Sequence, residues 1–120
     1  MTKPAFEGGR NIALKVPPHQ YDATVRFYAE VLGLERIDRP EIGFVFGANQ
    51  LWIDRAPGLS QSELWLEIVT EDTQAASRHF ADSGIARCDE IEPLGRNFDG
   101  YWISSPCQIV HLVDGRAQSW

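Results

Sequence analysis

Cysteine is scarce: the 120 residues hold two, Cys88 and Cys107, far apart and outside any CxxC pair. They read as reduced thiols, which excludes a disulfide scaffold and a cysteine-built zinc site. Cys107, following Pro106 in an expected turn, reads as a passive, half-exposed thiol. Lysine and arginine are few and unclustered, and the net charge is −6. Phosphate contacts need a basic patch, so no nucleic-acid partner is expected. No apolar run is long enough to cross a bilayer, so no membrane partner is expected either. The opening MTKPAFEGGRN lacks a hydrophobic secretory segment, which makes a cytoplasmic location the expectation. No glycine-rich phosphate loop stands out, since FEGGRN has no helix after it; residues 1–9 read as a flexible lead-in. Ser104, Ser105 and His111 do not assemble into an activated nucleophilic site. The acidic balance favours solubility and, weakly, cationic ligands.

What is present suffices for one domain with its own core: 43% of the residues are hydrophobic. The pattern repeats. NIALKV reads as a strand, and PPHQYDATVRFYAEVLGL follows with Tyr21, Val25, Tyr28 and Leu32 at helical spacing and Gly33 as the closing glycine. LERID, GFVFG and QLWIDR read as three strands, with GAN turning between the last two. Then LWLEIV is a strand, and TEDTQAASRHFADSG a helix with Thr70 or Asp72 as its N-cap, Ala76 and Phe80 on its buried face and Gly84 at its end. ARCDEI, GYWIS and QIVHLV are three more strands, and EPLGRNFDG between two of them is a candidate mobile loop. The order strand, helix, three strands thus occurs twice. Neither half has the apolar surface to fold alone, so one α+β unit is expected.

TVRFYAEVLGL is similar to the helix that opens proteins of the vicinal-oxygen-chelate superfamily, which includes glyoxalases, bleomycin-resistance proteins and extradiol dioxygenases. SSPCQIVHLVD resembles that superfamily's last turn and strand, where a D-P-x-G-N turn is usual. The resemblance covers residues 10 to 114. It implies two βαβββ modules, 10–56 and 63–114, curling into a half-open barrel around a cavity, with 115–120 as a tail. It also implies a homodimer. Members include lyases, isomerases, epimerases, dioxygenases and metal-free drug-binding proteins, so the site must decide the function.

In metal-using relatives, as the resemblance implies, ligands come from the first and last strand of each module. Here those positions hold Asn11, Trp52, Trp65 and His111. Tryptophan offers only an N–H donor, and asparagine is a weak oxygen ligand. Only His111 is competent, so no cofactor is expected. A nickel, zinc, iron or manganese ion would need a one-residue strand slip that recruits Glu67 or Asp54 beside His111. The same positions instead suggest an aromatic lining, in which Trp52 and Trp65 face one way and stack on a planar or cationic ligand. Phe44 or Phe46, and Tyr101 or Trp102, would add to it, alternation admitting one of each pair. Glu67 lies two residues beyond Trp65 and shares its face. With His111 nearby it would form a carboxylate–imidazole pair, in which desolvation raises the Glu67 pKa and the imidazole opposes that rise. Ligand orientation is the expected role for this pair, with Asn11 as a further partner and with Glu67 and His111 the candidate catalytic groups. Asp54 and Arg55 would either pair with strand neighbours or rim the cleft; Arg96 reads by default as a solvated loop charge, with gating the pocket or meeting an anionic ligand as the alternatives. His19 belongs to a first turn, and His79 reads as exposed on the second helix. The sequence reading is therefore a small-molecule binding protein of the glyoxalase and bleomycin-resistance type. The alternative is a metal-dependent lyase, isomerase or dioxygenase of that superfamily.

Overall fold

The computed structural model describes residues 3 to 115. It resolves into two units, Arg10–Trp65 and the described residues before and after it. Each carries the same order of elements, and together they hold nine strands and two helices, an α+β architecture of two βαβββ modules.

The lead-in contains a short strand, β1 (Glu7–Gly8), paired antiparallel with β6 (Glu63–Thr70) of the second module. In the first unit, β2 (Asn11–Val16) runs into α1 (Pro18–Arg26). Pro18 stands where its missing N–H costs nothing, and no side chain caps the helix. The expected single helix widens into a π-helical stretch, Phe27–Val31, in which the Leu32 N–H reaches back five residues to the Phe27 carbonyl. The wider turn rotates the residues after it about the helix axis. Leu32, expected on the apolar face, is therefore exposed, and Ala29 and Leu34 pack beside Tyr21, Val25 and Tyr28 instead. Gly33 ends the segment at φ +65°, a conformation open to glycine.

Strands β3 (Arg36–Asp38), β4 (Ile42–Phe46) and β5 (Asn49–Arg55) come next, and β5 lies parallel to β2. The β4–β5 hairpin turns on Gly47–Ala48, with positive φ at Gly47 alone, as a type II′ turn requires. Phe44, Leu51, Ile53 and Val16 form the core under α1. Strand alternation consigns Asn11, Ala13, Lys15, Gly43, Gln50, Trp52 and Asp54 to the other face.

In the second unit the end of β6 leads into α2 (Thr73–Asp82). Of the two cap candidates, Asp72 serves: its carboxylate accepts the Ala75 N–H at 2.9 Å. Thr70 is the last residue of β6, and its hydroxyl donates to the Ala5 carbonyl at 3.0 Å. Gly84, at φ +76°, closes the helix end as expected. Of ARCDEI only β7 (Ala86–Arg87) is a strand, and Asp89–Ile91 is a 3-10 turn. The cause is Asp89, whose carboxylate accepts the Trp102 N–H, a donor a longer ladder would have used. Strands β8 (Gly100–Ser104) and β9 (Val110–Gly115) complete the unit. Tyr101, Ile103 and Val113 pack with Ile68, Phe80 and Ile85 on the α2 side. The loop expected to be mobile is tied at both ends. Glu92 accepts from Trp102, while the Asp99 carbonyl accepts the Gly115 N–H and its carboxylate the Thr73 hydroxyl. Of the C-terminal tail read as 115–120, Gly115 belongs to β9 and residues 116–120 lie outside the described residues.

Candidate functional site

Register builds the site in the first unit. Gly43 pairs with Trp52, Trp52 with Ala13, and Ala13 with Trp65, so one row crosses β4, β5, β2 and β6 on the face away from α1. Adjacent strands are about 4.8 Å apart, which sets the Cα atoms of the two tryptophans about 10 Å apart with Ala13 between them in the row. Trp52 and Trp65 therefore share a face, as the positions the resemblance assigns them imply. Both are largely buried.

Each indole is fixed by a polar partner. Trp52 Nε1 donates to Asn11 Oδ1 at 2.8 Å, a buried bond that uses the acceptor expected to meet a ligand. A methyl group added at Gly43 would sit 2.5 Å from Cε3, 2.8 Å from Cζ3 and 3.1 Å from Cδ2 of Trp52. Such similar distances to three consecutive atoms place it above the ring rather than beyond its edge. The indole thus lies across its neighbours, its benzo ring over Gly43 in β4 and its N–H toward Asn11 in β2. Trp65 Nε1 donates to Glu63 Oε1 at 3.0 Å.

The next row holds a charged group. Lys15 is 6% exposed, its Nζ lies 2.9 Å from Asp54 Oδ2, and it stands 4.1 Å from the Trp65 ring centroid. A buried ammonium needs such partners, because desolvation disfavours the charged form. Of the two roles expected for Asp54, pairing with a strand neighbour is the one found: its partner is Lys15, opposite it on β2. Arg55 projects to the opposite face, its guanidinium 5.2 Å from the Tyr21 ring.

Several expectations fail on strand parity. Phe44 and Phe46 are two residues apart and so share a face, and that face is the helix side: Phe44 is fully buried in the α1 core and Phe46 is exposed. In the second unit Trp102 pairs with Leu112 and Leu112 with Glu67, which puts Trp102 and Glu67 on the face away from α2. Tyr101 is on the other face, its hydroxyl donating to the Thr73 carbonyl at 2.8 Å. His111 pairs with Leu66 and Ile103, so it shares the α2 face with Tyr101 and Val113. Glu67 and His111 therefore point to opposite sides of the sheet, and the expected carboxylate–imidazole pair does not form. The His111 Nδ1 is 2.9 Å from the Ile109 carbonyl, and because a carbonyl only accepts, that nitrogen carries the proton. Glu67 is buried directly beneath Gly9, where any side chain would strike its carboxylate. Trp102 Nε1 donates to the Glu92 carbonyl at 2.9 Å.

The remaining candidates lie elsewhere. His19 is exposed in the first turn of α1, and Arg96 is exposed in its loop. His79 is half-buried, its ring 6.2 Å from Phe6. Exposed Cys107 has its thiol pKa lowered by a hydrogen bond with Ser105, whereas burial pushes the Cys88 thiol up. A hollow of about 400 Å³ in the second unit, bounded by Ala5, Thr70, Asp72, Arg78 and Asp82, contains none of the expected site residues. Sequence reasoning missed Lys15 and Gly43. For Lys15 a signal existed, since it alternates with Asn11 in NIALKV.

The donor set can be tested against the divalent ion that the fold's metal-using members suggest. Trp52 and Trp65 have no lone pair to give, Asn11 Oδ1 is spent on Trp52, Asp54 is spent on Lys15, and His111 faces α2. Among the described residues no three His, Cys, Asp or Glu side chains converge. These residues do not fit a metal.

No family model matches the sequence, and no curated protein matches it significantly. Solved structures do match in fold. Methylmalonyl-CoA epimerase from Mycobacterium tuberculosis is 13% identical over 98% of this chain and 93% of its own, with a TM-score of 0.61. The Mn(II)-bound glyoxalase from Novosphingobium aromaticivorans is 17% identical over 92% of this chain and 41% of its own, with a TM-score of 0.60. A variant of homoprotocatechuate 2,3-dioxygenase from Brevibacterium fuscum is 17% identical over 94% of this chain and 33% of its own, with a TM-score of 0.61. This chain thus spans less than half the length of the last two. All three are vicinal-oxygen-chelate proteins. With the strand–helix–three-strand order present twice, the chain has the vicinal-oxygen-chelate fold.

Proposed function

We propose that the protein binds a small, partly aromatic molecule on the helix-free face of its first unit, without a metal, as a binding protein of the glyoxalase and bleomycin-resistance kind. The observation that carries this reading is the row Gly43–Trp52–Ala13–Trp65, two indoles on one face with only an alanine between them in the row. Flat, rigid rings give stacking area at little entropic cost. Binding is favoured over catalysis because the polar atoms of this face are already bonded to one another. Asn11 Oδ1 holds Trp52, Glu63 holds Trp65, and Asp54 holds Lys15. Sequestration of the ligand is the activity such a face supports.

The test is calorimetric titration of EDTA-dialysed protein with a panel of planar aromatics. Binding should be seen without added metal, and Trp52→Leu should weaken it at least tenfold. Binding that appears only when manganese, iron, nickel or zinc is restored, or that is indifferent to both Trp52→Leu and Trp65→Leu, would refute the reading.

A further inference from the structure

We infer that the hollow beside α2 in the second unit is a binding site for a free α-amino acid with an aliphatic side chain, held as its zwitterion by Arg78 and Asp82. The site is separate from the indole face and does not depend on the reading given for it. The hollow holds about 400 Å³, near the lower end of the range for small-molecule sites. One wall is α2, from which Ala75, Arg78, His79 and Asp82 line it. Their spacing of three, four and seven residues from Ala75 puts them on one side of the helix. The other wall is the lead-in, through Lys3, Pro4 and Ala5. That wall is held in place. The Thr70 hydroxyl donates to the Ala5 carbonyl at 3.0 Å, the Phe6 ring packs 5.2 Å from that of Phe80, and β1 follows in its ladder with β6. On the helix side the space is kept open by Ala75, which contributes only a methyl group.

The charges on the helix wall set the class of ligand. Arg78 and Asp82 stand four residues apart, as Arg26 and Glu30 do in the first unit, and in the same order along the chain. Arg26 and Glu30 form an ion pair at 3.7 Å. Asp82 is one methylene shorter than a glutamate, and among the described residues neither the Arg78 nor the Asp82 side chain has an ion pair or a hydrogen bond. A cation and an anion about 5–6 Å apart at their Cβ atoms, lining one hollow and not joined to each other, suit a ligand that carries both charges on one carbon. The signs around the hollow agree. An anion alone would meet Glu71, Asp72 and Asp82, and a cation alone would meet Lys3 and Arg78. An α-amino acid gives each helix-wall charge its counterpart. Its carboxylate takes two parallel N–H bonds from the Arg78 guanidinium, and its ammonium donates to the Asp82 carboxylate. Asp72 stays with the helix cap, where it accepts the Ala75 N–H. Pro4, Ala5 and Ala75 then supply apolar surface for a short aliphatic side chain.

The experiment titrates ¹⁵N-labelled protein with three ligands of one shape, read by NMR at the main-chain amides of Ala75 and Arg78. They are L-leucine, 3-methylbutylammonium, which lacks the carboxylate, and 4-methylpentanoate, which lacks the ammonium. Leucine should shift these amides saturably and bind at least about tenfold more tightly than either of the others. Arg78→Gln should bring leucine down to the level of the amine, and Asp82→Asn to the level of the acid. Ala75→Leu, which fills the hollow and leaves both charges in place, should abolish leucine binding. Arg78 and Asp82 are exposed, so their variants keep the fold and the test stays decisive even if the larger side chain at position 75 disturbs α2. The inference is overturned if the amine or the acid matches leucine, if leucine affinity is unchanged by Arg78→Gln, by Asp82→Asn or by Ala75→Leu, or if none of the three ligands binds.

Discussion

In the first unit, the face away from the helix holds Asn11, Lys15, Trp52 and Trp65, and side-chain bonds within that unit fix them. In the second unit, the corresponding face holds Glu67, Leu112 and Trp102, and the Trp102 N–H is satisfied by the main-chain carbonyl of Glu92. The topology is the same and the element order is the same, yet the chemistry differs. One face has become a network of indoles and charges that single substitutions can undo. On the other, the indole is pinned by backbone that no substitution of the partner removes. This is why the ligand reading belongs to the first unit, and it makes the contrast testable.

The largest effect is expected at the buried ion pair. Asp54→Ala leaves the Lys15 ammonium, 7% exposed at its side chain, without its carboxylate, and should cost about 2 kcal/mol in urea unfolding, less than a fully buried pair because a quarter of the Asp54 side chain meets solvent. Lys15→Met with Asp54→Ala should recover most of that loss, since two uncharged groups have no desolvation to offset. On the second unit's face, Glu67→Gln keeps the shape of the side chain beneath Gly9 and one acceptor oxygen, so it should be the milder change. Next comes the indole anchor. Asn11→Leu strands the Trp52 N–H and should cost about 1.5 kcal/mol, with weaker ligand binding. Glu92→Ala should leave the Trp102 bond intact, because its acceptor is main chain. The smallest is the helix start. Asp72→Ala removes the α2 cap for about 1 kcal/mol, whereas α1, preceded by Pro17, has no side-chain cap to lose. Thermal unfolding of the set, ranked in this order, checks the contrast.

The same contrast explains how far the sequence is legible. NIALKV alternates cleanly, with Ile12, Leu14 and Val16 against Asn11, Ala13 and Lys15, so its two faces can be read directly. QLWIDR is apolar at three successive positions, but Gln50 and Asp54 share parity with Trp52 and fix its side. QIVHLV gives no such help: Ile109, Val110, Leu112 and Val113 are apolar on both faces, and a one-residue ambiguity sends His111 to either side. That ambiguity lets a Glu67–His111 pair be expected where the strand register does not permit one. The strand and helix order is legible because turns and helix ends carry their own glycines and prolines. The length of the α1 helix is not, since a π turn leaves no periodic mark in so short a segment. Gly43 owes its role to Trp52 on the neighbouring strand, a contact that no local pattern encodes.

The central claim is that an indole face in the first unit, and no metal, receives the ligand. The most direct measurement is the ¹H–¹⁵N spectrum of the tryptophan side chains in EDTA-treated protein as planar aromatics of the calorimetric panel are added. The account predicts that the Trp52 indole resonance shifts strongly and saturably while that of Trp102 stays in place. A shift confined to Trp102, or one that requires a divalent ion before Trp52 responds, would contradict it.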